Sequence, residues 1–218
     1  MGAKRVVAVF PYFAYARQDS RFNPGEAVSF RTVTKLLEDV GTAELFSIDM
    51  HQHRVGRASD LFTIPAHNLT AAPLLAAYVK SHLKLERQLV VGPDEESEQW
   101  ASAAAKVIGG DHDVLEKKRL GDEKVEITTR SLAAQGRDVL IIDDIISTGG
   151  TIIEATKILK NQGARRVMVA CTHAILAHDA LSRIYESGAE MVVGTDTVPS
   201  PISYVSVAPL IADALKRS

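Results

Sequence analysis

The sequence has a single cysteine, no long apolar run and no excess of either charge. Cys171 lies in the apolar segment Val167 to Cys171, where a buried reduced thiol is expected rather than a nucleophile or a disulfide partner. No segment approaches the roughly 18 uninterrupted apolar residues of a membrane span, and the N-terminus does not have the pattern of a secretory signal. These absences predict a cytoplasmic protein without a membrane partner.

The charges also limit the choice of partners. Lys and Arg total 25, Asp and Glu total 27, and the net charge is -2. No general attraction to nucleic acid follows from this balance, so any anion site has to be local. The 218 residues, of which 46% are hydrophobic, are enough to bury one large core or two small ones.

Short apolar runs alternate with longer segments of helical period, which predicts an α/β fold with a parallel sheet. The predicted strands are Arg5 to Phe10, Glu44 to Ile48, Gln88 to Val91, Asp138 to Ile142, Arg166 to Cys171 and Glu190 to Val193. The predicted helices are Val28 to Val40, Leu74 to His82, Glu98 to Ile108, Thr151 to Gln162, Ala177 to Ser187 and Val205 to Lys216. Four helices end at glycines expected to form C-terminal caps: Gly41, Gly109, Gly163 and Gly188. A change in composition near residue 68 predicts a domain of residues 1–68 and another of residues 69–204, with residues 205–218 returning to either.

The strongest functional signal is the segment Val139 to Thr151, where an apolar strand ends in two acids followed by a turn rich in glycine and hydroxyl groups. Ligands of open parallel sheets bind beyond the carboxyl ends of the strands. There a helix N-terminus offers unpaired N–H groups to a phosphate, and Gly149 and Gly150 let the backbone approach it closely. Three further side chains add hydroxyl donors: Ser147, Thr148 and Thr151.

Two adjacent carboxylates precede this turn. They repel phosphate but accept hydrogen bonds from vicinal hydroxyls, so Asp143 and Asp144 suit the 2- and 3-hydroxyls of a ribose whose 5-phosphate lies in the turn. The simpler alternative is a helix cap after a buried strand, but a cap needs one hydroxyl rather than the whole set. The pattern therefore predicts a ribose 5-phosphate site.

This segment resembles the signature of type I phosphoribosyltransferases, and further segments resemble the ribose-phosphate diphosphokinase family, closest to its archaeal branch: Pro11 to Asp19, Asn23 to Glu26, Ile48 to His51, Gly92 to Asp94, Glu116 to Arg119 and Gly194 to Thr197. The resemblance implies two related phosphoribosyltransferase-like domains, the first abbreviated. It also implies an enzyme that transfers the diphosphoryl group of ATP to the 1-hydroxyl of ribose 5-phosphate, giving AMP and phosphoribosyl pyrophosphate for nucleotide biosynthesis.

The resemblance further implies roles for residues outside the turn. Arg17 and Gln18 would contact ATP, and His51 and Asp94 would bind Mg²⁺ at the triphosphate. A guanidinium suits an adenine face or a phosphate, and a residue that follows a strand can reach a common cleft. From the residues alone, Arg17 would more often be a surface charge and His51 a structural histidine.

Lys117 and Arg119 match the basic pair of the family's mobile catalytic loop. We expect them in a polar loop between strand-like segments at Asp113 to Glu116 and near Val125 to Thr128. Two cations there would stabilise charge on the transferred group, and Arg119 would also contact ribose 5-phosphate. A solvated run of charge is the alternative.

Two departures from the family pattern keep other functions open. After Asp94 the family usually has glycines, whereas this chain has Glu95, Glu96 and Ser97. The family's chain also normally begins several elements before the segment that matches Arg5, so apolar sheet surface would be exposed and a homo-oligomer, a dimer or larger, is expected. The alternatives are a catalytically silent regulatory homologue and a phosphoribosyltransferase that uses a nucleobase.

Overall fold

The computed structural model describes residues 2–21, 23–51, 62–119, 125–130 and 132–218. The chain forms two compact units. The first contains residues 1–70 and 207–218, and the second contains residues 71–206. None of the helices within the described ranges has both the length and the apolar content that a membrane crossing requires.

In the first unit, the described residues form a parallel sheet in the order β1-β2-β3. The elements of this unit are β1 (Val7–Phe10), α1 (Ser29–Asp39), β2 (Glu44–Ile48), β3 (Ala66–Leu69) and α6 (Ala208–Leu215). Aromatic rings fill the core, with Phe13 5.4 Å from Phe30 and 5.9 Å from Phe62 between ring centroids. The short strand β3 was not predicted, because its sequence is half polar and it forms by pairing with the buried β2.

The second unit is built on a larger sheet, whose strands among the described residues follow the order β10-β9-β8-β7-β4-β5-β6. All neighbouring pairs are parallel except the antiparallel pair β5 and β6. The strands are β4 (Leu89–Gly92), β5 (Asp111–Arg119), β6 (Val125–Thr129), β7 (Asp138–Ile146), β8 (Arg166–Ala174), β9 (Met191–Thr195) and β10 (Ser203–Val205). The helices are α2 (Ala72–His82), α3 (Glu98–Ile108), α4 (Gly150–Asn161) and α5 (Ala180–Glu186).

Both faces of this sheet are buried, which confirms the prediction of a parallel α/β core. Along β7, Val139 and Ile141 pack in one cluster with residues of α4 and α5. The intervening Leu140 and Ile142 pack in a second cluster with residues of α2 and α3. Strand residues alternate between faces, so the continuous apolar run of β7 supplies two cores at once.

Most predicted boundaries lie within a few residues of those observed, and the four expected C-terminal glycines all have positive φ. The last helix was predicted to begin at Val205, but α6 begins at Ala208 because Val205 pairs with Thr195 as part of β10. Helix α5 begins at Ala180 rather than Ala177, because the Ala177 N–H donates to the Ser147 carbonyl. The interpretation of Cys171 as a buried thiol is confirmed, since it is 0% exposed and burial raises its pKa.

The amino ends of the strands are joined by a buried carboxylate, Asp138, at the start of β7. It accepts hydrogen bonds from Arg165 and Arg166 at 2.5 and 2.6 Å and from the Glu86 N–H at 2.8 Å. Burial opposes ionisation, but the bonds from Arg166, Arg165 and Glu86 outweigh it and lower the pKa of Asp138 to about 2. This carboxylate lies at the end of the sheet opposite the predicted phosphate turn.

Candidate active site

The turn between β7 and α4 is fixed by backbone hydrogen bonds from the segment that follows β8. Leu176 N–H donates to the Ile146 carbonyl, and Ala177 N–H donates to the Ser147 carbonyl, both at 3.0 Å. Gly149 has a φ of 76°, and a Cβ there would lie 3.3 Å from Ile184 Cδ1 of α5. A glycine at this position therefore lets the turn adopt a left-handed conformation close to the neighbouring helix.

Helix α4 begins at this turn, and its first N–H groups have no acceptor within the helix. Its N-cap is Gly149, which has no side chain, so a simple hydroxyl cap at that position is not formed. Thr148, Gly150 and Thr151 are exposed, and Ser147 is half-buried. The start of the helix thus presents backbone N–H groups, partial positive charge and hydroxyl groups together, which is what a phosphate group binds.

The two acids before the turn lie near the carboxyl end of β7. Asp144 is buried and Asp143 is partly buried. Asp143 Oδ1 accepts a hydrogen bond from the Asp144 N–H at 3.0 Å and one from Ser97 Oγ at 3.3 Å. Burial raises the pKa of Asp143 well above its usual range, and the carboxylates of Asp144 and Asp94 raise it further. The fold therefore holds closely spaced carboxylates whose mutual repulsion a ligand rich in hydroxyl groups or a cation would relieve.

Asp94 is brought close to Asp143 because β4 and β7 are adjacent parallel strands. It caps a single 3₁₀ turn, Glu95–Ser97, where its Oδ1 accepts from the Ser97 N–H at 3.2 Å and from Ser97 Oγ at 2.8 Å. Within the described ranges, both hydrogen bonds that the Asp94 carboxylate accepts go to Oδ1, which leaves Oδ2 available to a ligand. Glu95 and Glu96 are exposed.

Ser97 is a site residue that the sequence analysis did not identify. Its side chain is 1% exposed and contacts both Asp94 and Asp143. A serine three residues after an aspartate is typical of a local cap, and that pattern was visible in the sequence. Its contact with Asp143, 46 positions further along the chain, depends on the pairing of the strands.

The described residues contain no cluster of three or more His, Cys, Asp or Glu side chains that could hold a metal ion by themselves. A magnesium ion needs no such cluster, since it usually binds one or two carboxylates and takes its other ligands from water and phosphate. The available oxygen of Asp94 is a hard donor and fits this requirement.

The predicted ATP residues and the second predicted metal ligand belong to the first unit. Arg17 is exposed, and Gln18 is partly buried, with its N–H bonded to the Tyr15 carbonyl at 2.9 Å. His51 follows β2 and is half-buried. The preceding Met50 is held by a 2.8 Å hydrogen bond from its N–H to Asn68 Oδ1. Since Asp94 belongs to the second unit, a shared metal site of His51 and Asp94 stays a prediction.

The expected position of the basic pair in a loop is wrong. The backbone of Lys117 and Arg119 lies in β5, where Lys117 pairs with Ile127 and Arg119 pairs with Val125 of the antiparallel β6. Charged residues have low strand propensity, but pairing within a hairpin outweighs it. The loop that was predicted to follow Arg119 falls on residues 120–124, outside the described ranges.

Two family models match the chain. Residues 1–41 match the N-terminal domain of ribose phosphate pyrophosphokinase, and residues 58–202 match the phosphoribosyl transferase domain. The second match includes the turn after β7, Asp94, and the basic pair in β5.

Curated relatives and a solved structure match over nearly the whole chain. The ribose-phosphate pyrophosphokinase of Methanopyrus kandleri is 43% identical over 216 residues, which cover 99% of this chain and 73% of the relative. Ribose-phosphate pyrophosphokinase 1 of Archaeoglobus fulgidus is 44% identical over 98% of this chain and 72% of the relative. The crystal structure of phosphoribosylpyrophosphate synthetase from Mycobacterium smegmatis aligns with a TM-score of 0.84 and 31% identity over 98% of this chain and 71% of that one.

Proposed function

The chain belongs to the ribose-phosphate pyrophosphokinase family, and from this membership we propose that it transfers the diphosphoryl group of ATP to the 1-hydroxyl of ribose 5-phosphate. The products are AMP and phosphoribosyl pyrophosphate. The observation that carries the proposal is the combination, at the carboxyl edge of one sheet, of an accessible helix N-terminus with the carboxylates Asp143 and Asp94. The helix N-terminus can bind a phosphate group, and the carboxylates can bind hydroxyl groups or a cation.

In this proposal, the second unit binds the acceptor. The 5-phosphate lies in the turn Ser147 to Thr151, where backbone N–H groups of the first turn of α4 donate to its oxygens. Asp143 and Asp144 accept hydrogen bonds from the 2- and 3-hydroxyls. With both ends of the sugar held, the 1-hydroxyl is oriented for attack on the β-phosphorus of ATP, and much of the barrier is reduced by this positioning.

The contacts to ATP and to the metal are assigned from the resemblance to the family. Arg17 and Gln18 would contact ATP, and His51 and Asp94 would hold Mg²⁺. When bound, such a cation neutralises negative charge on the triphosphate. As the new bond from the 1-oxygen to the β-phosphorus forms, the bond from the β-phosphorus to the oxygen that bridges it to the α-phosphorus breaks. AMP leaves with that oxygen, and the proton of the 1-hydroxyl passes to solvent. Lys117 and Arg119 then stabilise charge on the equatorial oxygens of the group in transfer.

The test of this function is the formation of AMP from ATP, measured by chromatography with and without ribose 5-phosphate. We expect AMP only when both substrates are present with free Mg²⁺ beyond the amount complexed by ATP. Binding of both substrates without AMP would instead support a silent regulatory homologue. Consumption of phosphoribosyl pyrophosphate with a nucleobase would support a phosphoribosyltransferase.

Replacement of Asp143 by alanine should weaken ribose 5-phosphate binding by about 1.5 to 3 kcal/mol, the usual loss for a hydrogen bond to a charged group. The variant should keep its thermal stability at neutral pH, because the raised pKa of Asp143 means that the fold disfavours its charged form. Calorimetric titration with ribose 5-phosphate measures the affinity, and Asp213→Ala on the exposed surface of α6 is the control. Unchanged affinity in a folded Asp143→Ala protein would remove this residue from the sugar site.

Association is also part of the proposal, because the first unit exposes apolar side chains. Leu36 and Val40, one helical turn apart on or directly after α1, are 58% and 78% exposed, and Val9 of β1 is 36% exposed. Burying such side chains against another subunit is favourable. We expect at least a homodimer by light scattering at assay concentrations. A strictly monomeric protein that still forms AMP would contradict this expectation.

A further inference from the structure

The side chain of Ser97 lies between two carboxylates that the proposed function assigns to different ligands. Its hydroxyl is 2.8 Å from Asp94 Oδ1, on the metal side, and 3.3 Å from Asp143 Oδ1, on the ribose side. The side chain is 1% exposed, so water does not readily replace these contacts. The hydroxyl therefore joins the end of β4 to the end of β7.

The packing around Ser97 is specific for a small neighbour. A Cβ at Gly92 would lie 2.8 Å from Ser97 Cβ and 3.1 Å from Val114 Cγ1, closer than side-chain carbons normally approach. Glycine at position 92 thus gives the turn that carries Ser97 room to lie against β4. The position of the hydroxyl is set by the backbone of this turn, in which the Ser97 N–H also donates to Asp94 Oδ1 at 3.2 Å.

We propose that Ser97 is a positioning residue that couples the cation subsite at Asp94 to the ribose subsite at Asp143. This inference rests on the proposed function for the identity of the two ligands. A hydroxyl group has one hydrogen to donate, and here two carboxylates compete for it, with Asp94 at the shorter distance. With a cation held at its other oxygen, the Asp94 carboxylate would be a weaker acceptor for this hydrogen. The hydroxyl then turns towards Asp143 and fixes it for the sugar.

The coupling has a definite sign. Mg²⁺ should strengthen the binding of ribose 5-phosphate, and ribose 5-phosphate should strengthen the binding of Mg²⁺ by the same factor. We expect at least about a fivefold effect, the lower end of coupling between sites. Without the hydroxyl, each carboxylate would respond to its own ligand alone, and the factor should fall to about one.

Calorimetric titration of the full chain with ribose 5-phosphate, with and without Mg²⁺ and in the absence of ATP, tests this inference. The parent protein should bind ribose 5-phosphate more tightly with Mg²⁺, and Ser97→Ala should lose this difference. Ser97→Gly, which also removes the hydroxyl, should behave in the same way and provides a second variant if one of them folds poorly. Ser187→Ala is the matched control, since it removes a hydroxyl bonded to the Ile184 carbonyl at the end of α5.

The outcomes separate this inference from the proposed function. Ser97 variants that keep the Mg²⁺ effect, or a parent protein without any such effect, would overturn the coupling even if AMP is formed. A parent protein that forms no AMP but shows Mg²⁺-dependent sugar binding that needs Ser97 would overturn the proposed function and leave the coupling intact. Lower thermal stability equal to that of Ser187→Ala, with the Mg²⁺ effect retained, would assign Ser97 a structural role only.

Discussion

Lys117→Ala should lower the turnover number by roughly a hundred- to a thousandfold while leaving the affinity for both substrates nearly unchanged. A charge stabiliser that acts mainly on the transition state contributes about 2.7 to 4 kcal/mol, and its loss appears in kcat rather than in ground-state binding. The position of Lys117 on a paired strand supports this expectation. Backbone pairing with Ile127 limits the freedom of the chain, so less entropy is lost when the cation meets the transferred group.

The neighbouring lysine provides the control. Lys117 and Arg119 occupy alternate positions of β5, and Lys118 occupies the intervening position opposite Glu126. Lys118→Ala therefore removes the same charge from the same strand, at a position to which no role is assigned. Steady-state kinetics should show normal turnover for this variant. If Lys117→Ala keeps full turnover and loses only affinity, the catalytic role is wrong and the regulatory alternative gains support.

Asp138→Ala should lower the free energy of unfolding by about 3 kcal/mol. Removing one partner from a buried ion pair typically costs about 3 to 5 kcal/mol, because the remaining charges lose their compensation. The lower end applies here, since the side chains of Arg165 and Arg166 are 39% and 23% exposed and can be partly rehydrated. The Glu86 N–H would also lose its acceptor. Denaturant titration measures the effect, and AMP formation below the unfolding temperature should be preserved.

The same carboxylate predicts a pH dependence. The pKa of Asp138 is lowered in the folded protein from an ordinary 3.8 to about 2. Its contribution to stability is therefore complete above about pH 4 and is lost as the pH falls towards 2. The difference in stability between the parent and Asp138→Ala should shrink over this interval. Asp111→Ala is the control, because the Asp111 side chain is 60% exposed in its pair with Arg137 and should cost less than about 1 kcal/mol. Equal effects of the two substitutions would show that the buried ion pairs of Asp138 contribute no more to the free energy of unfolding than an exposed pair does.

The parts of the fold that were predictable from sequence are those whose pattern is local. The apolar run of β7 and the helical period of α4 are visible in the sequence, and the glycines after the helices mark where the helices end. The short strands β3 and β10 lack the continuous apolar run by which β1 and β4 were recognised. Each forms because the backbone of a neighbouring strand offers it hydrogen bonds, β2 to β3 and β9 to β10. Such pairing with another segment of the chain leaves no local pattern in the sequence.

The candidate site also contains a part that local sequence predicts and a part that depends on the pairing of distant strands. The turn from Ser147 to Thr151 is continuous in sequence, so its chemistry could be predicted from residue types alone. The contact between Ser97 and Asp143 could not, because it exists only where β4 lies beside β7. The basic pair was singled out by its resemblance to the family, and its catalytic role stays a prediction. Its expected loop conformation was wrong, because local propensity contains no information about a hairpin partner.

The burial of Cys171 has a practical consequence for spectroscopy. Because this thiol is 0% exposed and its pKa is raised by burial, maleimide reagents, which react with the thiolate, should leave it unmodified in the native protein. A cysteine introduced at an exposed position can then be labelled selectively without first replacing the natural one. Labels at Asp213 of α6 in the first unit and at Tyr185 in the second, which are 64% and 44% exposed, would report the distance between the units by fluorescence energy transfer as each substrate is added.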